Sequence, residues 1–524
     1  MIAFAGGFVR TSACIVFWLI RQRKNFMSFS LYVDGVCGNY VGAVASGGKL
    51  IEYRVEKKNI TVPIGSVFKG KVENVLCGMQ AAFVNVGLPR NGYLAADDML
   101  MDKAEIEGKI EIPSVLDLKE GDEIMVQAVK DPAGNKGVRL TRYLSFAGRY
   151  VVFLPSFSFV GVSRKITDEK TREKLQKIAE KFRPKGRGII IRTAGETAKK
   201  SEIKHEIEYL KKQYDEIEEN FKTAKSATCV YEEGNVGVRL LRDVYTEDVE
   251  KFVVSDKDLF DKLLVYAKRH DKALKGKLKL YDKKIDMFRY YGLSESVDNM
   301  LSSSVPLENG AYIVIDKTEA MTVIDVNTGK FTGDANLEET VYKTNLLAAV
   351  EIAKQLRLRN ISGIIVVDFI DMNEKEHNSE LLRVLGEELK ADRERCQVIG
   401  MTPLGLVEIT RKKRRRESIS ALVKDCPYCQ GTGHIQSNDY IVMRIRTELF
   451  DIFANGYNNA KIDLNAEIAD YVLAKKALKA DVEKIWPNKR VYLIPHKTYH
   501  QQFFIVKGDN AEAMDVPDKA LLLV

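Results

Sequence analysis

Short β-branched runs, bounded by glycine and polar residues, alternate along this chain with longer helical stretches. Residues 29 to 60 read as strands: Leu31-Tyr32-Val33, a turn at Asp34-Gly35, then Tyr40 to Ala45 and Leu50 to Val55. Between 64 and 142, five closely spaced strands separated by glycine turns predict a small closed barrel of the oligonucleotide-binding class. An amphipathic helix over 167–183 stops before Pro184. A strand from Gly188 follows, then a long charged helix from about Glu196 to Lys225. Further on, two core-type strands end in aspartate, Met321 to Gly329 through Asp325 and Gly363 to Met372 through Asp368. The helical stretch 338–359 joins them as a crossover, which predicts neighbours in one sheet. The pattern is that of a multidomain α/β protein.

A carboxylate at a strand tip does little for stability and is well placed for a hard cation. Mg²⁺ takes one or two carboxylates plus waters and substrate phosphate. Asp325 and Asp368 would hold one such ion, and Asn327, on the same strand face as Asp325, would orient a scissile phosphate. Glu319 and Asp371 are flanking candidates, and a helix carrying Asp392-Arg393-Glu394-Arg395 would add phosphate-binding cations. The bland reading is that these aspartates cap turns, the commoner fate of such residues. Two at matched positions, with an asparagine, bring the readings level. Metal-free RNA cleavage usually uses a histidine pair. The six histidines, His205, His270, His377, His434, His496 and His500, are dispersed, which disfavours that route.

Net charge is +8 over 524 residues, with 29% charged and 45% hydrophobic residues, ordinary for a globular protein. Its distribution is uneven. Arg411 to Arg416 is unbroken basic sequence, and Lys199, Lys200, Lys211 and Lys212 cluster on the long helix. Such clusters favour polyanions or are solvated faces. In the barrel, the order G-x-V, A-A-F-V, G-Y-L, G-D-x-I resembles an S1 RNA-binding domain. Phe83 and Tyr93 then stand where bases stack, with Lys136 nearby. Phe83 alone would read as core. Arg192-Thr193 sits at a strand end before a helix N-terminus, a natural anion site. A surface salt bridge is the plain alternative.

Seven cysteines, an odd number and all but the last two scattered, suit a reducing compartment. Cys426-Pro427-Tyr428-Cys429 offers two thiolates, half of a tetrahedral Zn²⁺ site. It reads as a redox pair, as an intrachain site completed by His434 or another residue, or as a half-site completed by a second subunit. Pro427 and the Gly-Thr-Gly tail favour a metal knuckle over a redox pair, and a single C-x-x-C in the chain favours the half-site, and with it a homodimer. Residues 1–26 contain a short apolar run, Ser12 to Ile20, too short to span a bilayer. They read as an upstream start ahead of Met27, with a membrane anchor as the alternative.

Four pieces, Thr318 to Asn327, Ala353 to Arg359, Val366 to Met372 and Cys426 to Cys429, together resemble the ribonuclease E/G endoribonucleases of bacteria, from about Leu31 onward. Tyr93 stands where phenylalanine is frequent, and residues 1–26 have no counterpart. The resemblance implies an RNase H-like domain (27–62 plus 238–300) with an inserted S1 barrel (63–142) and a 5′-sensor (143–237). A DNase I-like catalytic domain (301–422), a zinc link (423–436) and a small dimerisation domain (437–524) follow. It implies Mg²⁺ on Asp325 and Asp368 with Asn327 assisting. Arg164, Arg192 and Thr193 would bind an RNA 5′-monophosphate, and Cys426 and Cys429 would share Zn²⁺ between protomers. The implied activity is cytoplasmic hydrolysis of single-stranded RNA to 3′-hydroxyl and 5′-phosphate ends, in rRNA maturation and mRNA decay. The chain ends soon after the small domain, which is closer to the short ribonuclease G type.

Overall fold

The structure is a computed structural model. It describes residues 28–58, 64–95, 115–130, 137–246, 248–270, 272–329, 337–413, 417–510 and 517–524. The chain divides into two compact units at Leu422 and Val423. Among the described residues no helix is long and apolar enough to cross a membrane.

In the first unit a five-stranded sheet runs in the order Leu278–Leu280, Val249–Val254, Phe29–Val36, Asn39–Ser46, Lys49–Lys57. Its central strand is buried on both faces. Leu31 and Val33 meet helix α2 (Val236–Asp243), while Tyr32 joins Met287 and Phe288 in a separate core. That double burial explains why Phe29–Val36 reads as an apolar run rather than as a strict alternation.

The predicted barrel is present and closed. Its strands are β1 (Val67–Leu76), β2 (Ala81–Asn85), β3 (Gly92–Ala95), β4 (Glu123–Lys130) and β5 (Arg139–Thr141). Hydrogen bonding runs β1-β2-β3-β5-β4 and returns from β4 to β1. Inward residues alternate with outward ones: Val72, Ala82, Val84, Leu94, Val126 and Leu140 fill the interior. Each fully buried leucine or valine contributes about 1.5–3 kcal/mol over an exposed one. Thr228–Tyr231 adds an outer strand against β1. A four-stranded sheet follows, in the order Val160–Val162, Gly188–Ile191, Val151–Leu154, Phe146–Ala147. It packs on helix Glu169–Phe182 and on α1 (Lys200–Thr223). The long helix therefore starts later than the sequence suggests, because a 3₁₀ turn, Thr193–Glu196, intervenes.

The sheet that holds the aspartates has six strands: β6 (Ser304–Pro306), β7 (Tyr312–Lys317), β8 (Met321–Asn327), β9 (Gly363–Asp368), β10 (Cys396–Met401) and β11 (Leu406–Arg411). The order is β6-β7-β8-β9-β11-β10. Only β8 and β9 pair in parallel, and α3 (Leu337–Arg359) makes the crossover between them. One face packs on α3 and α4 (Lys375–Leu389) through Ile324, Val326, Ile365, Val367 and Ile409. The other face is open, which is why every second residue of β8 and β9 reads as more polar or exposed.

The second unit is itself α/β. Its sheet runs Phe504–Asp509, Asn459–Asn465, Arg490–His496, Leu521–Leu522. Helices Asn438–Ala454, Ala466–Lys475 and Ala477–Ile485 cover one core with it.

Candidate functional site

The crossover fixes the register of the two aspartate strands, and Asp325 and Asp368 are direct partners in the parallel ladder. Both are exposed, because their neighbours Ile324, Val326 and Val367 take the buried face. Asn327 lies two residues beyond Asp325, and its amide donates to Asp325 Oδ2 at 2.8 Å. In this state the amide orients a carboxylate rather than facing open solvent. Asp371 stands beyond the last ladder pair, alongside the Gly405 turn, where an added Cβ would lie 3.6 Å from its Oδ1. Asp316 and Glu408 lie one row back on the same open face, through Val323 and Val366.

Beyond Asp368 the backbone leaves its sheet partners. There Asn345, fully buried on α3, takes their place. Its amide donates to the Ile370 carbonyl at 2.7 Å and its Oδ1 accepts from the Ile370 amide at 3.1 Å. Three residues on, Glu338 accepts from the amides of Asn373 and Glu374, at 3.2 and 3.3 Å, and from the Asn373 side chain. Burial pushes the Glu338 carboxyl up, but these bonds and His377 hold it below its ordinary value. His377 stacks on Tyr342 at 4.1 Å. The strand-end loop carrying Asp371 is thus bound to α3 at two points.

The expected basic supply is rearranged. Residues 390–395 form turns and bends, not a helix. Arg393 pairs with Glu52 at 3.0 Å, and Arg411 is buried, its Nε donating to Asp392 Oδ2 at 2.9 Å. Arg411 is therefore a structural ion pair rather than the first member of a solvated basic run, since a buried guanidinium needs its partner. Arg414, Arg415 and Arg416 lie outside the described residues, as does Lys136.

On the barrel, Phe83 and Tyr93 are cross-strand partners with ring centroids 5.9 Å apart in an edge-on arrangement. Both are half-buried on the outer face. The row continues from Asn74 through Phe83 and Tyr93 to Arg139 and Lys130. Sequence reading missed Arg139, because only the parallel β3–β5 pairing brings it beside Tyr93.

Arg192 and Thr193 close the strand Gly188–Ile191. Arg192 donates to the Gly148 carbonyl and, at 2.9 Å, to Asp243 on α2. Burial would raise the Asp243 carboxyl, but Arg242 and Arg192 beside it hold it well below the usual carboxylate range. Glu206 sets the loop opposite by accepting from the amides of Arg149, Tyr150 and Val151 at 2.7–2.9 Å. A Cβ on Gly148 would lie 2.4 Å from that carboxylate, so any larger residue would push Glu206 off the three amides. Thr193 Oγ1 meets Ser163 Oγ at 3.0 Å, which brings the exposed Arg164 loop to the same place. Lys165, next along, donates to the Asp392 carbonyl at 2.7 Å and ties this loop to the segment that leads into β10. Asp243 and Glu206 carry no sequence motif; each acts across more than 50 residues.

In the second unit Cys426 and Cys429 lie in a tight turn closed by Gln430 N to Cys426 O at 2.7 Å. The amides of Cys429 and Tyr428 hold the Cys426 thiol below its ordinary value. His500 Nε2 donates to the Tyr428 carbonyl at 2.7 Å, and its ring centroid lies 4.3 Å from that of the Tyr428 ring.

These residues fit the implied ions to different degrees. Two exposed carboxylates on adjacent strands satisfy what Mg²⁺ asks of a protein. Two thiols supply half of a structural Zn²⁺ site. Among the described residues no group of three or more His, Cys, Asp or Glu could hold an ion alone.

The model of the Ribonuclease E/G family matches residues 145–414. Ribonuclease G of Salmonella typhimurium is 34% identical over 471 residues, covering 88% of this chain and 96% of that protein. Ribonuclease G of Haemophilus influenzae is 35% identical over 475 residues, with the same coverage of 88% and 96%. Ribonuclease E of Nostoc sp. is 37% identical over 377 residues, covering 71% of this chain and 54% of that protein. With nearly the full length of the ribonuclease G proteins matched, the chain belongs to the ribonuclease E/G family as a ribonuclease G-like member.

Proposed function

We propose that the chain is an endoribonuclease that hydrolyses single-stranded RNA at the open end of the β8–β9 pair, with Mg²⁺ held by Asp325 and Asp368. The observation that carries this reading is their direct pairing in the one parallel ladder of the sheet. When bound, the ion supplies a polarised phosphoryl oxygen and a water of lowered pKa. The chain's own groups do the rest. Asn327 fixes the rotamer of Asp325 and keeps an amide beside the phosphate without adding charge. Asn345 and Glu338 hold the loop after Asp368 against α3, so the second carboxylate does not swing. The products are a 3′-hydroxyl and a 5′-phosphate.

RNA is gathered by Phe83 and Tyr93, with Arg139 and Lys130 extending the row and Lys136 in the same sequence region. A 5′-monophosphate is read by Arg164, Arg192 and Thr193. In this reading the five-stranded sheet is the RNase H-like domain, the barrel an S1 domain, the four-stranded sheet the 5′-sensor and the six-stranded sheet DNase I-like. Cys426 and Cys429 bind Zn²⁺ with the same pair of a second chain, which makes a homodimer or a dimer of dimers. The setting is the cytoplasm, in rRNA maturation and mRNA decay. A non-catalytic RNA-binding role would need the barrel row alone, and Asp325→Asn separates the two: it abolishes cleavage and spares RNA binding if the catalytic reading holds.

A further inference from the structure

Leu404, on the turn between β10 and β11, is the most exposed large apolar side chain among the described residues, at 83%. Single exposed leucines are common and mean little by themselves. Two further observations give this one meaning. The first is rigidity. Gly405 N donates to Thr402 O at 3.0 Å and Thr402 N to Leu406 O at 2.8 Å. Thr402 Oγ1 accepts from the amides of Leu404 and Leu406 at 3.3 and 3.2 Å. Gly405 takes φ +83°, the conformation that closes the turn without side-chain strain. The backbone therefore holds the leucine outward.

The second is position. Leu406 is the ladder partner of Asp368, and Gly405 lies beside Asp371. The apex thus stands next to the carboxylates that would meet the scissile phosphate. Covering it with another protein would desolvate these carboxylates without partners, which is costly. A nucleic acid brings a base instead, and apolar side chains act on nucleic acids as wedges between base steps. We propose that Leu404 is a specificity-determining wedge that packs on the base of a nucleotide flanking the scissile phosphate. It parts that base from its neighbour, so only unpaired RNA seats its phosphate at the acids. This rests on the catalytic reading of Asp325 and Asp368.

The test uses the full chain and a 5′-monophosphorylated single-stranded RNA with one cleaved linkage, intact or abasic on either side. For the wild type, one abasic position lowers kcat/KM about tenfold, the scale of one lost apolar contact. Leu404→Ser lowers kcat/KM on intact RNA by a similar factor, and the abasic change then adds nothing. Leu404→Phe retains both the rate and the abasic effect. Independent, multiplying effects of Leu404→Ser and the abasic position overturn the wedge, as does unchanged kcat/KM in Leu404→Ser. So does a Leu404→Ser protein that cleaves normally but sediments at a different mass, which would assign the apex to a protein contact. Asp325→Asn is run alongside. Full activity there removes the catalytic reading itself, whereas an inactive Asp325→Asn without Leu404 coupling overturns the wedge alone.

Discussion

Asn345 pairs with the backbone of Ile370 through both ends of its carboxamide, two residues after Asp368. A buried amide on an otherwise apolar helix face here continues a sheet that has run out of strands. Asn345→Leu leaves the Ile370 amide and carbonyl unpaired, at about 1–3 kcal/mol for each buried group. The expected result is a stability loss of about 2–4 kcal/mol in urea unfolding. Weakened Mn²⁺ binding by electron paramagnetic resonance is expected alongside it. Unchanged Mn²⁺ affinity would remove Asn345 from the account of the site.

The Arg192–Asp243 pair couples the proposed anion site to stability. Asp243 is held below its ordinary value, so its contribution is complete above the unfolded carboxylate value of about 3.9 and fades as pH falls toward the folded value. Asp243→Asn should cost about 3–5 kcal/mol near neutral pH, since it takes the carboxylate partner from Arg192 and leaves Arg242 with Glu233. Its stability should then fall less steeply than the wild type below about pH 4. Urea unfolding across the acid range reads this directly. The same variant should cleave 5′-phosphorylated and 5′-hydroxyl RNA at more nearly equal rates.

In the proposed reading the aromatic pair on the barrel sets affinity rather than rate. Tyr93→Ala should weaken single-stranded RNA binding by about 1–3 kcal/mol, one stacked base. Fluorescence anisotropy measures it, and far-ultraviolet dichroism checks the fold. Arg139→Gln should lower the salt dependence of binding, as loss of a phosphate contact does.

The zinc proposal has a stoichiometric signature. Metal analysis should find about one Zn²⁺ per two chains, since each chain offers two of the four thiolates. Cys426→Ser should lose the metal and sediment as a smaller species. A monomer that keeps one Zn²⁺ per chain would refute the shared site.

Much of this was legible in the sequence because local patterns carried it. The aspartate strands, their crossover helix and the barrel strands show in hydrophobic periodicity and glycine spacing. What periodicity does not carry is pairing between distant segments. Arg411 reads as the start of a basic run, yet its position opposite Gly363 at the end of β11 buries it against Asp392. Arg393 reads as helical, but it is spent on Glu52, over 300 residues away. Arg139, Asp243 and Glu206 become part of a site only once strands and helices from separate segments meet. Asn345, which borders the apolar stretch Leu346-Leu347-Ala348-Ala349, was likewise missed, since its partner Ile370 lies 25 residues away.

The most direct test of the central claim is cleavage of a 5′-monophosphorylated single-stranded RNA by the wild type and by Asp325→Asn with Mg²⁺ present. The expected loss is on the order of 10³-fold in kcat/KM, several kcal/mol at about 1.4 kcal/mol per tenfold, with RNA affinity retained. Equal activity of the two proteins would contradict the assignment of Asp325 and Asp368 as the catalytic pair.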